Sequence, residues 1–462
     1  MSKREELRRA ALEIFAETIR SVSSSEAVRR AVRLEGSLLR VFDTEINLSA
    51  SQTKIYSIGI GKAAREMAVA LDCVLGERLA AGVFTGTQER ALSQPASKDF
   101  RKRWRAYAGG HPLPNASSLE AAKGAFEILQ RADAERAVII FLISGGGSAM
   151  IEWPRTEEIT LDDLRAANRL LVTCGATIAE VNAVRRAFSA VKGGGLSERA
   201  PHALQISLII SDTNAGEEAN VASGPTLAPN GNAPTAVEVI ARYHLSSKLP
   251  ASILRAAESL NTESIETSNA ETSQSFSHKY YVLLDNGRAL EAAAKAARAF
   301  GFTVETAHDL VEQPVEEGCA QLLNRLLALA HRNSGTERRA VCLISGGEFV
   351  CPVRGAGTGG RNSETVLRCS IEIDERKKID ERIADSSVVL LSAGTDGIDG
   401  NSPAAGAIAD AETIKRARAL GLNAKTFLET SDAHTLFDSL NDTIITGPTG
   451  TNVRDVRIML VF

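Results

Sequence analysis

The stretch that decides the fold is Ala137–Ile143, AVIIFLI, which runs directly into Ser144-Gly145-Gly146-Gly147-Ser148-Ala149. Seven apolar residues without alternation are what a parallel strand covered on both faces requires. In open α/β sheets, ligands sit beyond the carboxyl ends of such strands, where a Gly-rich loop lets the backbone come close. Upstream, Lys54–Ile60 (KIYSIGI) reads as a strand, Ala63–Leu75 as a helix and Gly82–Thr85 as a second strand. Downstream, Ile206–Ile210 and Tyr280–Leu284 repeat the pattern, followed by a helix over Ala289–Phe300 and strands at Val341–Ser345 and Val388–Ala393. At the start of the chain, Leu7, Ala11, Ile14, Phe15, Ile19 and Val22 recur at helical spacing. Short apolar strands alternating with Ala-rich helices predict an α/β fold with mostly parallel sheets.

A chain of 462 residues has room for two or three domains, each with its own core. Its 53 Lys and Arg against 57 Asp and Glu leave a formal charge of -4, with no basic block, which argues against a nucleic-acid partner. No apolar run approaches the ~20 residues of a membrane span. The opening MSKREELRRA lacks the apolar core of a signal peptide. Six cysteines without a C-x-x-C pair fit neither a zinc site nor a disulfide framework, and Cys342 and Cys351 are expected to face a core. A soluble protein of a reduced compartment, most simply the cytoplasm, is the expectation. The polar run Asn261–His278 (NTESIETSNAETSQSFSH) reads as a linker or loop. It divides the chain into a large Rossmann-like N-terminal domain, 1–260, and a smaller α/β C-terminal domain, 279–462, with the active site expected in the cleft between them.

The glycines cluster after strands, which suggests a phosphate-rich ligand held by backbone N–H groups. Gly59-Ile60-Gly61-Lys62-Ala63-Ala64 matches G-x-G-x-x-A directly after a strand, the dinucleotide fingerprint. That fingerprint asks for an acid at the tip of the second strand, and AGVFTGT ends without one. Lys62 within the turn suits a bound or transferring phosphate instead. Ser144, Gly145, Gly146, Gly147 and Ser148 supply several N–H donors and two hydroxyls, more than a plain turn needs. Gly346 and Gly347 end a third strand in the same way. Lys192-Gly193-Gly194-Gly195 reads equally as a helix end with a hinge or as a binding loop.

Acidic residues beside these loops are candidates for Mg2+, which takes hard oxygen ligands and keeps waters. They are Asp212, Glu348, Glu364, Asp396 and Asp399, with Asp212 or Asp396 as the metal candidates; Asp212 reads equally well as a helix cap. Arg361 in GAGTGGRNSE, with its planar fork, suits a phosphate or carboxylate, and Asn362 follows it. His111 in GGHPLPN is a further candidate, with loop shaping as the alternative.

Nine motifs in order, GIGKAA, GGHPLPN, FLISGGGSAMIEWP, GATIAEVNAVRRAFSAVKGGGL, ASGPT, LISGGE, GTGGRNSE, AGTDGIDG and TGPTGTNVRD, resemble the two-domain glycerate 2-kinases. These carry an N-terminal kinase domain and a C-terminal MOFRL domain. The resemblance runs from about residue 10 to the C-terminus. It implies transfer of the γ-phosphoryl of ATP to the 2-hydroxyl of D-glycerate, giving 2-phosphoglycerate and ADP, with Mg2+ or another divalent cation. It also implies that Lys62 and Arg361 are the catalytic cations; the Gly-rich loops themselves suggest nucleotide phosphates on Gly59, Gly61, Ser144, Gly145, Gly146, Gly147, Ser148, Gly346 and Gly347. One departure touches substrate choice: where the family reads S-D-V-x-G-D-D, this chain has Ser211-Asp212-Thr213-Asn214-Ala215-Gly216-Glu217. Other 2-hydroxy sugar acids therefore stand as alternative substrates. An NAD(P)H-dependent hydroxypyruvate reductase, built on the G-x-G-x-x-A turn, stands as the alternative reaction, and a non-catalytic nucleotide-binding regulator as a third.

Overall fold

The computed structural model describes residues 2–49, 53–87, 97–229, 233–267, 278–333, 340–377 and 387–462. The chain divides into two compact units, one of Ser24–Leu284 and one of Met1–Ser23 with Asp285–Phe462. This division differs from the sequence expectation at both ends. The helix Lys3–Ser21 belongs with the C-terminal half, where it packs on the helix Asn286–Ala299. Its Arg8 donates to Asp410 (2.8 Å) and Asp442 (2.5 Å). Conversely, the strand expected to open the C-terminal domain, His278–Leu284, closes the first unit's sheet. The run 261–278 therefore does not join the two units. Its first part continues the helix Ala251–Thr267, and 268–277 lie outside the described residues.

The first unit is built on a six-stranded sheet, all parallel, of strands β4 (Ile55–Ile60), β5 (Leu79–Gly86), β6 (Trp104–Ala108), β7 (Val138–Ser144), β8 (Leu204–Ile210) and β9 (His278–Leu284). Its order is β6-β5-β4-β7-β8-β9. Counted from β4, that is 3-2-1-4-5-6, the doubly wound Rossmann order. The chain reverses direction across the sheet between β4 and β7, so the loops after these two strands lie at the switch point. Strands β4 and β7 are buried along their whole length. That explains why β7 is written without alternation: helices cover both faces. A small antiparallel sheet, β1 (Val32–Glu35), β2 (Leu38–Val41) and β3 (Thr44–Asn47), belongs to the same unit.

The second unit carries a six-stranded sheet of β10 (Thr303–Ala307), β11 (Val341–Gly347), β12 (Val388–Gly394), β13 (Gly406–Asp410), β14 (Thr443–Ile444) and β15 (Asp455–Val461). Its order is β10-β11-β15-β12-β13-β14. Only β10 and β11 pair in parallel; β15 enters antiparallel between β11 and β12. The sheet of this unit is therefore mixed, while the first unit's is parallel throughout. The chain's last segment returns through the sheet's centre and brings Asp455 and Arg457 with it. Cys342 is buried within β11, and Cys351 packs against the hydrophobic core of this unit. No described helix is long and apolar enough to cross a membrane.

Candidate active site

Two Gly-rich loops meet at the switch point of the first unit, and they behave oppositely. The turn after β4 is sealed by the protein. Gly61 N–H donates to the Thr85 carbonyl (3.1 Å), Lys62 N–H to the Gly145 carbonyl (3.0 Å) and Ala63 N–H to Ser144 Oγ (3.0 Å). Gly61 is glycine because its φ is +111° and an added Cβ would lie 2.2 Å from the Ser144 carbonyl oxygen. Gly59 is a buried residue inside β4. Neither Gly59 nor Gly61 therefore has the phosphate-cradling role expected of it, because the N–H groups a pyrophosphate would need are already engaged.

The loop after β7 is open. Among the described residues, the amides of Gly145 and Gly146 donate to no protein group. Gly146 takes a left-handed φ of +77°, and the Lys62 side chain lies along it: a Cβ there would be 3.1 Å from Lys62 Cγ. Gly147 packs so close to Ile60 and Ala222 that a Cβ would stand 2.7 and 2.9 Å from their side chains. Ser144 Oγ donates to the Ile60 carbonyl (3.2 Å), tying the loop to the first turn. Ser148 Oγ is 2.7 Å from Ser223 Oγ, which donates to Asn182 Oδ1 (2.7 Å). Ala222, Ser223 and Gly224 all have positive φ, a strained run for two non-glycine residues.

The Lys192-Gly193-Gly194-Gly195 segment is no hinge. Gly193 and Gly194 N–H donate to the Ser223 and Gly224 carbonyls (3.1 and 2.8 Å), clamping the strained run. Lys192 itself is buried and paired with buried Glu152 at 2.5 Å, with Ser189 donating to the same carboxylate. Burial pulls the Lys192 ammonium below its usual range, and Glu152 opposes the shift.

In the second unit, Arg361 opens the helix Arg361–Arg376. Its guanidinium donates to Asp455 through Nε (2.6 Å) and Nη2 (3.2 Å), and Nη2 lies 2.6 Å from Glu348 Oε1. Asp455 is 1% exposed. Burial pushes its carboxyl up, but Arg361, Arg457 and the Asn362 amide together hold it below the ordinary carboxylate range. Asn362 bridges Asp455 (2.9 Å) and Ser392 (2.6 Å). Asp399 accepts from the N–H groups of Asn362 and Ser363 (both 2.9 Å) and from Ser363 Oγ (2.6 Å), so it caps the helix. Asn362 and Asp399, expected as substrate or metal ligands, are thus consumed in holding Arg361. Gly346 and Gly347 are also spoken for. They lie inside β11, with Gly347 N–H on Asn286 Oδ1 (2.9 Å) and their carbonyls on Arg457, which stacks 3.6 Å over Phe349. Glu364 is buried and accepts from Arg354 and Arg368. A cavity of about 390 Å3 opens beside Arg361, lined by Phe349, Cys351, Gly357, Gly360 and Asn401 among others.

Two family models match the chain: "Domain of unknown function (DUF4147)" over residues 10–258 and the MOFRL family over residues 341–455. A glycerate 2-kinase of Pyrococcus horikoshii is 31% identical, over 99% of this chain and 98% of its own. This chain belongs to the two-domain glycerate 2-kinase family. The solved structure of a glycerate kinase from Thermotoga maritima superposes with a TM-score of 0.77 at 28% identity, covering 99% of this chain and 100% of that one. A protein of Agrobacterium vitis named a putative hydroxypyruvate reductase is also similar, 34% identical over 87% of this chain and 98% of its own.

The acidic candidates of this family member separate by their surroundings. Among the described residues, no group of three or more His, Cys, Asp or Glu side chains comes together as a metal cage. Asp212 is half-buried just beyond β8, whose Ile210 pairs with Ser144, so it neighbours the open loop. It caps no helix, since the next helical turn begins at Glu218. Asp396 is half-buried and accepts from Ile398 N–H (3.1 Å). Glu348 is the ion-pair partner of Arg361. His111 is exposed and precedes a cis peptide bond to Pro112; in the same loop Asn115 caps the helix Ala116–Ala134 (2.9 Å to Ser118 N–H). Asp455, Asn182 and Ser223 escaped the sequence reading. Asp455 had one legible signal, an acid placed immediately before the apolar run VRIMLV.

Proposed function

We propose that this protein is an ATP-dependent glycerate 2-kinase that passes the γ-phosphoryl of ATP to the 2-hydroxyl of D-glycerate, releasing 2-phosphoglycerate and ADP. The observation that carries the reading is the pairing of the open amides at Gly145 and Gly146 with Lys62 laid along Gly146. Backbone N–H groups fixed in place and one cation are what a polyphosphate and a phosphoryl group in flight require. The sealed turn after β4 removes the basis of a dinucleotide site, and β5 ends at Thr85 and Gly86 without an acid for a ribose. Both features favour the kinase over the reductase.

In the reaction, the 2-hydroxyl oxygen of glycerate forms the new bond to the γ-phosphorus. The bond from that phosphorus to the β–γ bridging oxygen breaks, ADP keeps the electron pair, and the hydroxyl proton leaves to water. Charge spreads over the γ-phosphoryl oxygens, where Lys62 supplies a preorganised counter-charge. Within the second unit, Arg361 is the other cation expected of the family, and Asp455 and Glu348 hold it in one orientation. Mg2+ fits a site with few carboxylates, because it keeps waters and takes the rest of its ligands from ATP; Asp212, beside the open loop, is the residue that would hold it. When bound, such an ion neutralises phosphate charge. A cytoplasmic setting accords with six cysteines, none of them in a disulfide.

Lys62→Ala is the direct test. Turnover should fall on the order of a hundredfold or more, as when one positioned donor is lost from a preorganised site. The unfolding midpoint should hold. Near-normal kcat in that variant would remove Lys62 from the reaction.

A further inference from the structure

The helix Ile178–Phe188 is buried nearly all round, yet it carries two adjacent arginines, Arg185 and Arg186. Arg185 is 6% exposed. It donates through Nε to Asn168 Oδ1 (2.9 Å) and through Nη1 to Asn182 Oδ1 (3.4 Å), two neutral amide oxygens. Arg186 is half-buried, and among the described residues its guanidinium makes no hydrogen bond and no ion pair. The nearby carboxylate Glu152 is committed to Lys192 and Ser189. Two buried cations, Lys192 and Arg185, thus face the one carboxylate of Glu152, which does not reach Arg186.

Leaving a guanidinium out of water without a counter-charge is costly, and the cost is recovered when an anion arrives. Burial alone draws the Arg186 guanidinium below its usual range, with no acid acting on it. Its placement is specific. The Arg186 side chain crosses Gly193 so closely that a Cβ there would lie 2.4 Å from Arg186 Cδ. Gly193 N–H holds the Ser223 carbonyl, and Ser223 Oγ meets Ser148 of the open loop.

We propose that Arg186, with Arg185 behind it, binds an oxyanion of the ligand seated on the Ser148–Ser223 loops, either a phosphate of ATP or the carboxylate of the 2-hydroxy acid. The assignment rests on the kinase reading for the identity of the ligand, and on the unmatched charge for the site itself. Arg185 reaches the same loops through Asn182, which accepts from both Arg185 and Ser223, so it acts as a positioning residue.

The experiment is steady-state kinetics on wild type, Arg186→Gln and Arg186→Lys, varying D-glycerate and ATP separately. Loss of one charge-assisted hydrogen bond should raise one KM by about 10- to 100-fold. Arg186→Lys should recover part of the loss, and the unfolding midpoint should stay put, because no protein partner is orphaned. A rise confined to D-glycerate identifies a carboxylate, and a rise confined to ATP a phosphate. Both KM values within twofold of wild type overturn the proposal. If the wild type itself shows no kinase turnover, the kinase reading fails on its own. Calorimetric titration with tripolyphosphate and with D-glycerate then decides the anion site. Binding that is weakened in Arg186→Gln supports it; equal binding, or none to wild type, refutes it.

Discussion

Replacing Asp455 with Asn keeps the shape of the side chain and removes its charge, which isolates what the carboxylate does for Arg361. Asp455 accepts from Arg361 Nε and Nη2 and from Asn362 Nδ2 in an environment that leaves it 1% exposed. An Asn there keeps one acceptor oxygen, and its amide group confronts donors on the other side. Breaking a buried pair from one end typically costs about 3–5 kcal/mol, and one lost hydrogen bond to a charged group about 1.5–3 kcal/mol. The Arg361 side chain is 34% exposed, so water recovers part of the loss and the expected cost is about 2–3 kcal/mol. For a unit of this size that is a drop of about 4–12 °C in Tm. The assay is urea unfolding followed by circular dichroism, where the midpoint should fall with m unchanged. Glu348→Gln is the control: its side chain is 36% exposed, and its removal should cost about 1 kcal/mol or less. A wild-type midpoint for Asp455→Asn, or an equal cost for Glu348→Gln, would refute the view that Asp455 is the anchor.

Two further outcomes test the first unit. Gly61→Ala should disrupt the joint between the loops after β4 and β7, since its Cβ meets the Ser144 carbonyl at 2.2 Å and φ is +111°. A loss of about 2 kcal/mol or more, with kcat falling alongside, is expected, and a wild-type thermal melt would contradict it. Glu180 is held down to about 2, first by the Thr177 N–H and then by the Tyr243 hydroxyl, with Thr177 Oγ1 and Arg242 adding to the effect. Because its folded pKa lies below the unfolded ~4.3, its contribution is present above pH ~4.3 and is lost as pH falls toward 2. Glu180→Gln should flatten stability over that window and lower neutral-pH stability on the order of 2 kcal/mol, read from urea midpoints at pH 2–7. An unchanged pH profile would show that Glu180 carries no such linkage.

The centre of the first unit was legible because β4 and β7, buried along their whole length, are written as nearly continuous apolar runs ending in Gly or polar residues, whereas the edge strand β6, largely exposed, carries no such signal. β7 and the open loop after it were read almost to the residue. β15 hid because Asp455 and Arg457 interrupt its run, and a charged residue in a central strand makes sense only once Arg361 and Gly346 are brought beside it. The Lys3–Ser21 helix was visible as a helix, but its partners Asp410 and Asp442 lie some four hundred residues away. The same limit applies within the site. The turn at Gly61 and the loop at Gly145 look alike in sequence, and only the destinations of their N–H groups separate a sealed joint from an open cradle.

Phosphoryl transfer to the 2-position of a 2-hydroxy acid is tested by one reaction. Purified protein with ATP, Mg2+ and D-glycerate would be followed for ADP release, with the product isomer identified by NMR. Hydroxypyruvate with NADH would run in parallel. ADP formed in step with 2-phosphoglycerate is the predicted result. NADH oxidation without ADP release, or 3-phosphoglycerate as the sole product, would contradict it.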